Sequence, residues 1–214
     1  MMKDYKATIL IDLKKNEQEL FKGFSKDLRW GIRRAEKEKL YFFESDAGLG
    51  WDVFKTIFKK MWWSVTPKID YYVEQWRKDN SRRLFFAYKD SADGGPIDIV
   101  GFAVVKNLPD RLNMEYIAPA EKEYIKYRVN DYLYWNCILQ AQKEGLPYFD
   151  LGGYQLGAQG KTDKVNKYKE QFNGKIVKTE VKGNFFYILA RKIVRRFPWI
   201  THIKKRLQGY RFND

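Results

Sequence analysis

The chain has few of the residues that most enzymes use for covalent or metal chemistry. Its 214 residues include one cysteine, Cys137, and one histidine, His202. A single cysteine excludes an internal disulfide and a cysteine metal cluster, and it is typical of proteins in a reducing compartment. A single histidine within a basic terminal stretch argues against Ser-His-Asp, Cys-His and histidine-metal sites. We therefore expect no metal and no cofactor, and most hydrolase mechanisms are excluded.

Long apolar runs are also missing. The longest uninterrupted run, "FFYILA" at 185–190, is far shorter than the roughly 20 residues that cross a bilayer. The beginning of the chain, "MMKDYKATILIDLKK", has no apolar segment long enough for a signal peptide. These two absences predict a cytoplasmic protein, which could also work at the inner face of the cytoplasmic membrane.

The common phosphate-binding and paired-carboxylate motifs do not occur. No GxxxxGK[ST] and no GxGxxG is present, so an NTPase or a dinucleotide oxidoreductase would lack its phosphate loop. Carboxylates show no local DxD or ExxH spacing, although pairs distant in sequence stay open. The remaining chemistry depends mainly on positioning. An example is the transfer of an activated acyl group to an amine, which needs proximity, a proton relay and charge stabilisation.

Positive charge and aromatic residues are abundant. The 41 lysines and arginines against 27 acidic residues give a net charge of +14, which attracts nucleic acid, nucleotide-linked substrates or an anionic membrane. Aromatic residues make up 17% of the chain and can supply a core, and the length suits one domain. The composition predicts a globular protein that binds a polyanion.

The hydrophobic patterns predict one α/β domain with a mixed, mostly antiparallel central sheet flanked by helices. The three runs between 82 and 117 have Gly, Pro and Asp in their connections and should pair antiparallel. The predicted strands are 7–13, 40–45, 82–88, 97–105, 111–117, 147–153, 175–181 and 184–190. The predicted helices are 16–39, split near Gly23 or Ser25, then 51–63, 71–79, 123–145 and 162–174.

The C-terminal stretch differs from the rest. We expect a domain at 1–190 and a basic amphipathic tail at 191–214. From Lys182 to Asp214 the chain has nine lysines and arginines and one acidic residue, with apolar residues three or four apart. This pattern suits an interfacial helix on anionic lipid, and equally a terminal helix packed on the domain. RNA binding is a third use for the same charge.

Four stretches together carry a family pattern. They are "TILIDLKKNEQELFKGF" (8–24), "LRWGIRRAEKEKL" (28–40), "NDYLYWNCILQAQKEGLPYFDLGG" (130–153) and "KYKEQFNG" (167–174). With the order of elements, they resemble the GNAT acyltransferase fold and its Fem-type branch, the FemA/FemB-like aminoacyltransferases that build peptidoglycan cross-bridges. Gly31 stands where that family usually has Asn, Tyr168 replaces Phe, and Asn173 replaces Gly. Known bridge-forming members carry two such domains, and this chain has room for one.

The resemblance implies three catalytic residues. Lys169 matches the family's lysine, whose cation could stabilise a developing oxyanion or hold a donor phosphate. Tyr168 takes the place of a GNAT tyrosine that returns a proton to the leaving group, and Glu115 is placed like a GNAT general base. The alternatives are a solvated lysine, a packing aromatic and a strand residue that faces solvent.

Two groups of residues are predicted to bind substrate. Arg29, Arg33 and Arg34 on one helix could clamp a diphosphate through forked donors, or they could form a plain charged face with Glu36 and Asp27 as partners.

The second group follows the strand "YFDLGGY". Asp150 should hydrogen-bond neighbouring backbone so that Gly152 and Gly153 can turn and approach a substrate or an adjacent strand, and Tyr154 completes this set.

The donor is predicted from the junction "IAPAEKEYIKYRVNDY" (117–132). CoA-dependent GNAT enzymes have a glycine-rich phosphate turn there, whereas this junction has acidic residues and no glycine. The resemblance therefore implies aminoacyl-tRNA as donor and a phosphate-bearing envelope precursor as acceptor. One alternative is an acyl-CoA or acyl-carrier-protein dependent enzyme that acylates an amino sugar for surface polysaccharide. Another is a non-catalytic module that binds RNA or anionic membrane.

Overall fold

The computed structural model describes residues 5–45, 48–60, 69–90 and 97–180. Its strands form one seven-stranded sheet in the order β2-β3-β4-β5-β6-β1-β7. The strands are β1 (Tyr5–Asp12), β2 (Leu40–Glu44), β3 (Arg82–Lys89), β4 (Asp98–Leu108), β5 (Arg111–Pro119), β6 (Tyr148–Tyr154) and β7 (Lys175–Glu180). The α-helices are α1 (Glu17–Gly23), α2 (Lys26–Lys37), α3 (Leu49–Lys60), α4 (Ile69–Lys78), α5 (Val129–Lys143) and α6 (Lys161–Glu170).

The split in the first helical region has a local cause. Asn16 begins α1 with a capping box, in which its side chain accepts from the backbone of Glu19 and the Glu19 carboxylate accepts from the backbone of Asn16. Phe24 then adopts an extended conformation, and Ser25 caps α2 by accepting from Leu28 N. The predicted division near Gly23 and Ser25 is confirmed.

Helices cover both faces of the sheet. On one face, α2 and α5 pack on the larger core, to which they contribute mainly aliphatic side chains such as Leu28, Ile32 and Leu133. On the other face, α3 and α4 pack on β3, β4 and β5 through Trp51, Phe54 and other aromatics. The predicted class, a mixed and mostly antiparallel sheet flanked by helices, is confirmed.

The sheet opens between β5 and β6, its only parallel neighbours among the described strands. Their pairing consists of Arg111 with Tyr148, Leu112 with Phe149 and Asn113 with Asp150. Beyond these three pairs, β5 and β6 have no further paired residues. The pairing of β4 with β5 is irregular, because Val104 pairs with Tyr116 whereas the next residue, Val105, pairs with Met114. This irregularity leaves Glu115 as the extra residue of a bulge. The strand ends next to α5 and α6 are therefore free to line clefts.

Two predicted elements differ from the structure. The helix expected at 123–145 is a 3-10 helix (Lys122–Tyr127) followed by α5, because Arg128 between them adopts the left-handed conformation with φ 58° and ψ 37°. Gly145 beyond α5 has φ 74°, the conformation expected after a helix. In the predicted closing hairpin, β7 is present and pairs with β1, while the second strand at 184–190 and the tail lie outside the described residues.

Within the four described ranges, no helix combines the length and the apolar character needed to cross a membrane.

Candidate functional site

Helix α6 lies at the opening of the sheet and borders two clefts. The α5 cleft has a volume of about 490 Å³ and includes Tyr168 of α6 in its lining. The β1 cleft has a volume of about 790 Å³ and includes Val165 and Asn166 of the same helix. The remaining lining of the α5 cleft consists of Ile117, Ala118, Pro119, Ile125, Arg128, Val129, Asn130 and Asp131. One helix thus connects two cavities, an arrangement that suits a reaction between two substrates.

Lys169 is the most unusual group on this helix because its amine is buried. Only 9% of the residue is exposed, and its Nζ donates to the carbonyl oxygen of Gly153 at 2.9 Å. Burial lowers the pKa of the Lys169 amine to about 8, an effect that the nearby Asp150 carboxylate partly opposes. An ammonium group has three donors, and Lys169 forms no ion pair with any described residue. A cation with unused hydrogen-bonding capacity therefore lies beside the sheet opening.

The glycine pair near Lys169 is held by Asp150. This buried carboxylate accepts from Gly152 N at 2.8 Å and from the hydroxyl of Thr8. Gly152 has φ 77°, and a Cβ there would overlap the carbonyl oxygen of Met114 on β5. Asp150 thus stabilises a turn that only glycine tolerates, which is the backbone role expected from the sequence.

Gly153 differs from Gly152 because it has no positive φ and has open space around its Cβ position. Tyr154, the next residue, donates its hydroxyl to Glu170 of α6 at 2.6 Å. Both residues line the β1 cleft, so the structure brings this predicted pair to a cavity.

Tyr168 belongs to a partly buried hydrogen-bond network in the α5 cleft. Its hydroxyl donates to Asp131 Oδ1 at 2.7 Å, and Arg128 Nε donates to the other oxygen of Asp131 at 2.7 Å. Arg128 also pairs with Asp27 at 2.7 Å. Burial raises the pKa of Asp131 despite these two donors, and burial together with Asp131 raises the pKa of Tyr168 well above its usual value. The Tyr168 hydroxyl is therefore protonated at neutral pH and directs its proton towards Asp131.

Gly31 makes room for this network. A Cβ at Gly31 would overlap the carboxylate of Asp131 and would lie 2.6 Å from Arg128 Nε. The absence of a side chain allows the Arg128 and Asp131 pair to lie directly against α2. Sequence reasoning missed Arg128 and Asp131. The available signal was a glycine in the middle of a helix, which often marks a close approach.

Glu115 has a structural partner away from both clefts. The Arg82 guanidinium donates to both of its carboxylate oxygens, at 2.5 and 3.2 Å. Arg82 also pairs with Asp79, which in turn pairs with Lys106. Glu115 lines neither the α5 cleft nor the β1 cleft. Tyr168 lines the α5 cleft, and Lys169, which lines neither cleft, donates to Gly153 in the wall of the β1 cleft.

The three α2 arginines are also engaged. Arg29 donates to the backbone carbonyls of Lys22 and Phe24, Arg33 lies 5.2 Å above the ring of Phe21, and Arg34 pairs with the Glu38 carboxylate at 2.5 Å. Of the two acidic partners suggested by the sequence, Asp27 pairs with Arg128 instead.

Burial raises the pKa of Glu36, the other suggested partner, and the charge of Arg33 opposes part of this rise. None of the α2 arginines lines either cleft beside α6. In the part of the chain that the structure describes, no cluster of His, Cys, Asp and Glu has a geometry that could hold a metal ion.

No family model matches the chain, and no curated protein sequence matches it either. Several solved structures, however, match the fold of this chain. FemX superposes with a TM-score of 0.65 and 14% identity over 89% of this chain and 63% of FemX. The C-terminal domain of a putative lysylphosphatidylglycerol synthetase from Agrobacterium fabrum gives a TM-score of 0.56 and 14% identity over 89% of this chain and 64% of that chain.

A GCN5-related glucosamine N-acetyltransferase region in a fungal multi-domain β-N-acetylglucosaminidase gives a TM-score of 0.50 and 10% identity. It covers 84% of this chain and 20% of that one. This chain spans less than two thirds of FemX and of the synthetase domain. At these identities the comparisons concern the fold, and they confirm the predicted resemblance at that level: the chain has the GNAT-type fold that it shares with FemX.

Proposed function

We propose that the protein is an N-acyltransferase that moves an aminoacyl or related acyl group onto an amine of a cell-envelope precursor. The observation that carries this proposal is the buried Lys169 amine, which keeps unused donors next to Gly153 in the wall of the β1 cleft. The fold shared with FemX and with a lysylphosphatidylglycerol synthetase domain supports it. We further propose aminoacyl-tRNA as the donor and a phosphate-bearing envelope precursor as the acceptor.

The reaction needs one site for negative charge. The acceptor amine attacks the ester carbonyl of the donor, so that a C–N bond forms and the carbonyl oxygen becomes an oxyanion. The oxyanion then collapses, the C–O bond to the donor breaks, and the leaving oxygen takes a proton from water, which balances the proton that the amine releases. With a pKa of about 8, Lys169 is mostly protonated at neutral pH and can donate to the oxyanion.

The amine must also lose a proton, and we assign that step to Tyr168. Its hydroxyl already donates to Asp131, so its oxygen can accept a proton from the amine while its own proton passes to the carboxylate. The raised pKa of Asp131 makes this carboxylate a better proton acceptor. We therefore propose proton removal from the nucleophile as the role of Tyr168, instead of the proton return implied by the family resemblance.

Glu115 and the α2 arginines have no part in this proposal, because the described structure gives each of them another partner. Contact of the tail with an anionic membrane stays a prediction, since the tail lies outside the described residues.

A second candidate acceptor is a hydroxyl of a phospholipid head group. The similarity to a lysylphosphatidylglycerol synthetase domain favours it, at a TM-score below that for FemX. The chemistry would be the same, with an oxygen nucleophile that produces an ester in place of an amide.

Mass spectrometry can test the proposal directly. Purified protein is incubated with charged tRNA or with acetyl-CoA, and with lipid-linked precursors, nucleotide-linked precursors or phosphatidylglycerol. We expect one acceptor to gain a single acyl mass with charged tRNA. Mild alkali then distinguishes the two candidates, because an ester is cleaved and an amide persists. No added mass on any acceptor, combined with salt-dependent binding of RNA or lipid, would instead support a non-catalytic module.

A further inference from the structure

The β1 cleft contains basic side chains that the proposed reaction does not use. It lies over β1, β5 and β6, where Leu112 and Met114 face the core under α5. Because side chains alternate along a strand, Arg111 and Asn113 face the opposite side and enter the cleft. Lys6 of β1 also lines it. The cleft therefore has two cationic groups on the sheet face that α5 does not cover.

Arg111 has most of its hydrogen-bonding capacity unused. Its Nε is buried and has no hydrogen-bond partner among the described residues. The nearest carboxylate oxygens lie 3.5 Å from Nη1, on Asp110, and 3.7 Å from Nε, on Asp150. A good charge-assisted bond measures about 2.7–2.9 Å, and a guanidinium has five donors. The fork of Arg111 can therefore bind a ligand without breaking a short bond.

Asp150 leaves this capacity open because its short hydrogen bonds come from other donors and its contact with Arg111 is long. Oδ1 of Asp150 accepts from Gly152 N and from the Thr8 hydroxyl, while Oδ2 faces Arg111 at the long distance. The Lys169 ammonium is hydrogen-bonded to Gly153, another residue of the cleft wall. Two cations, Lys6 and Arg111, thus line a cavity whose lining includes one carboxylate, Asp150, and Lys169 lies behind the wall formed by Gly153.

We infer that the β1 cleft binds a phosphate or diphosphate group, with Arg111 donating through its fork and Lys6 adding charge at the rim. The assignment of this group to the acyl acceptor rests on the proposed function. The acceptor amine would then approach Lys169 from the cleft wall formed by Gly153. The α2 arginines, to which the sequence assigns a diphosphate, have protein partners instead.

Calorimetric titration of the full chain tests the binding directly. The probes are inorganic pyrophosphate, uridine diphosphate, and phosphatidylcholine vesicles with and without phosphatidylglycerol. We expect saturable binding that R111Q weakens at least about tenfold, because the loss of a bidentate charged contact costs more than about 1.4 kcal/mol. R111K should retain part of the affinity, and K6Q should lose a few fold. R33Q on α2 is the matched control and should stay within about twofold of the wild type.

The probes separate two sources of the phosphate. Arginine-dependent binding of uridine diphosphate indicates a nucleotide-linked ligand, and arginine-dependent binding of phosphatidylglycerol vesicles indicates a lipid head group. The inference is overturned if the wild type binds none of the probes, or if R111Q binds as tightly as the wild type. Should R111Q fail to fold, unchanged affinities in both R111K and K6Q overturn it.

The test of the phosphate site can fail or succeed independently of the test of the proposed acyl-transfer activity. Binding that depends on Arg111 without any acyl transfer would leave the phosphate site standing and remove the proposed activity. If the protein transfers an acyl group and R111Q leaves the acceptor KM unchanged, the proposed activity is kept and the phosphate site is removed.

Discussion

Helix α2 and the sheet opening between β5 and β6 are both rich in cations, but their cations have different surroundings. On α2, Arg29 donates to backbone carbonyls of α1 and of the link between α1 and α2, Arg33 lies over the ring of Phe21, and Arg34 pairs with Glu38 directly after α2. At the opening, Lys169 and Arg111 are held by strands and helices distant in sequence, with donors left unused. The density of charge along the sequence is higher on α2, whereas the capacity to bind is greater at the opening.

Desolvation explains why this difference matters. An exposed cation exchanges water for a ligand with little net gain, while a partly buried one with unused donors gains a full partner. A partly buried cation with unused donors lowers the stability of the fold, and such groups occur mainly at functional sites. The following predictions test whether the opening, and not α2, is the working region.

Replacement of Lys169 should have the largest effect. We expect K169M to lower kcat for acyl transfer about 10²- to 10³-fold, the usual loss when one oxyanion donor is removed. K167M is the matched control, since Lys167 is exposed on the same helix and, among the described residues, pairs only with Asp163. Steady-state kinetics of both variants measures the difference. Equal activity of K169M and wild type would remove Lys169 from the mechanism.

The glycine pair should show an asymmetric response. G152A should lower the free energy of unfolding by about 2–4 kcal/mol, because alanine is strained at φ 77° and its Cβ would overlap the Met114 carbonyl. G153A should change it by less than about 1 kcal/mol, since its Cβ position is open. Urea denaturation of the two variants checks this. A similar loss in both would mean that the approach of β5 to Gly152 is not as close as described.

The pH dependence should report the Lys169 cation. Its pKa in the folded protein is about 8, below the ordinary lysine value, so the ammonium is lost as pH rises through 8. We expect kcat to fall about tenfold per pH unit above that value. The residual activity of K169M should lack this decline. Stability should respond with the opposite sign, because between pH 8 and the ordinary lysine pKa the unfolded chain binds more protons, and this group then favours folding increasingly with pH.

The α2 arginines should give the smallest effects. R33Q loses a cation–π contact and R34Q loses a surface ion pair, so each should change the free energy of unfolding by less than about 1 kcal/mol. The acceptor KM should stay within about twofold of the wild-type value. A tenfold rise in the acceptor KM for either variant would show that the α2 arginines bind the substrate.

Much of the fold could be predicted from local patterns. The split of the first helix follows from Asn16 and Ser25 as caps, and the antiparallel order of β3, β4 and β5 follows from their turn residues. The contacts of Arg128 could not be predicted, because its partner Asp27 lies 101 residues away on α2. The same holds for Glu115, whose partner Arg82 lies 33 residues away on β3.

The candidate site divides in the same way. The sequence by itself determined the class of the fold, the identity of Lys169 and the glycine pair as candidates, and the presence of a single histidine, because these depend on residue type and short spacing. Only the tertiary structure decided which cations keep unused donors and which residues lie with Tyr168 in one network. Burial and hydrogen-bond partners arise when segments more than 100 residues apart, such as Asp27 with Arg128 and Thr8 with Asp150, come into contact.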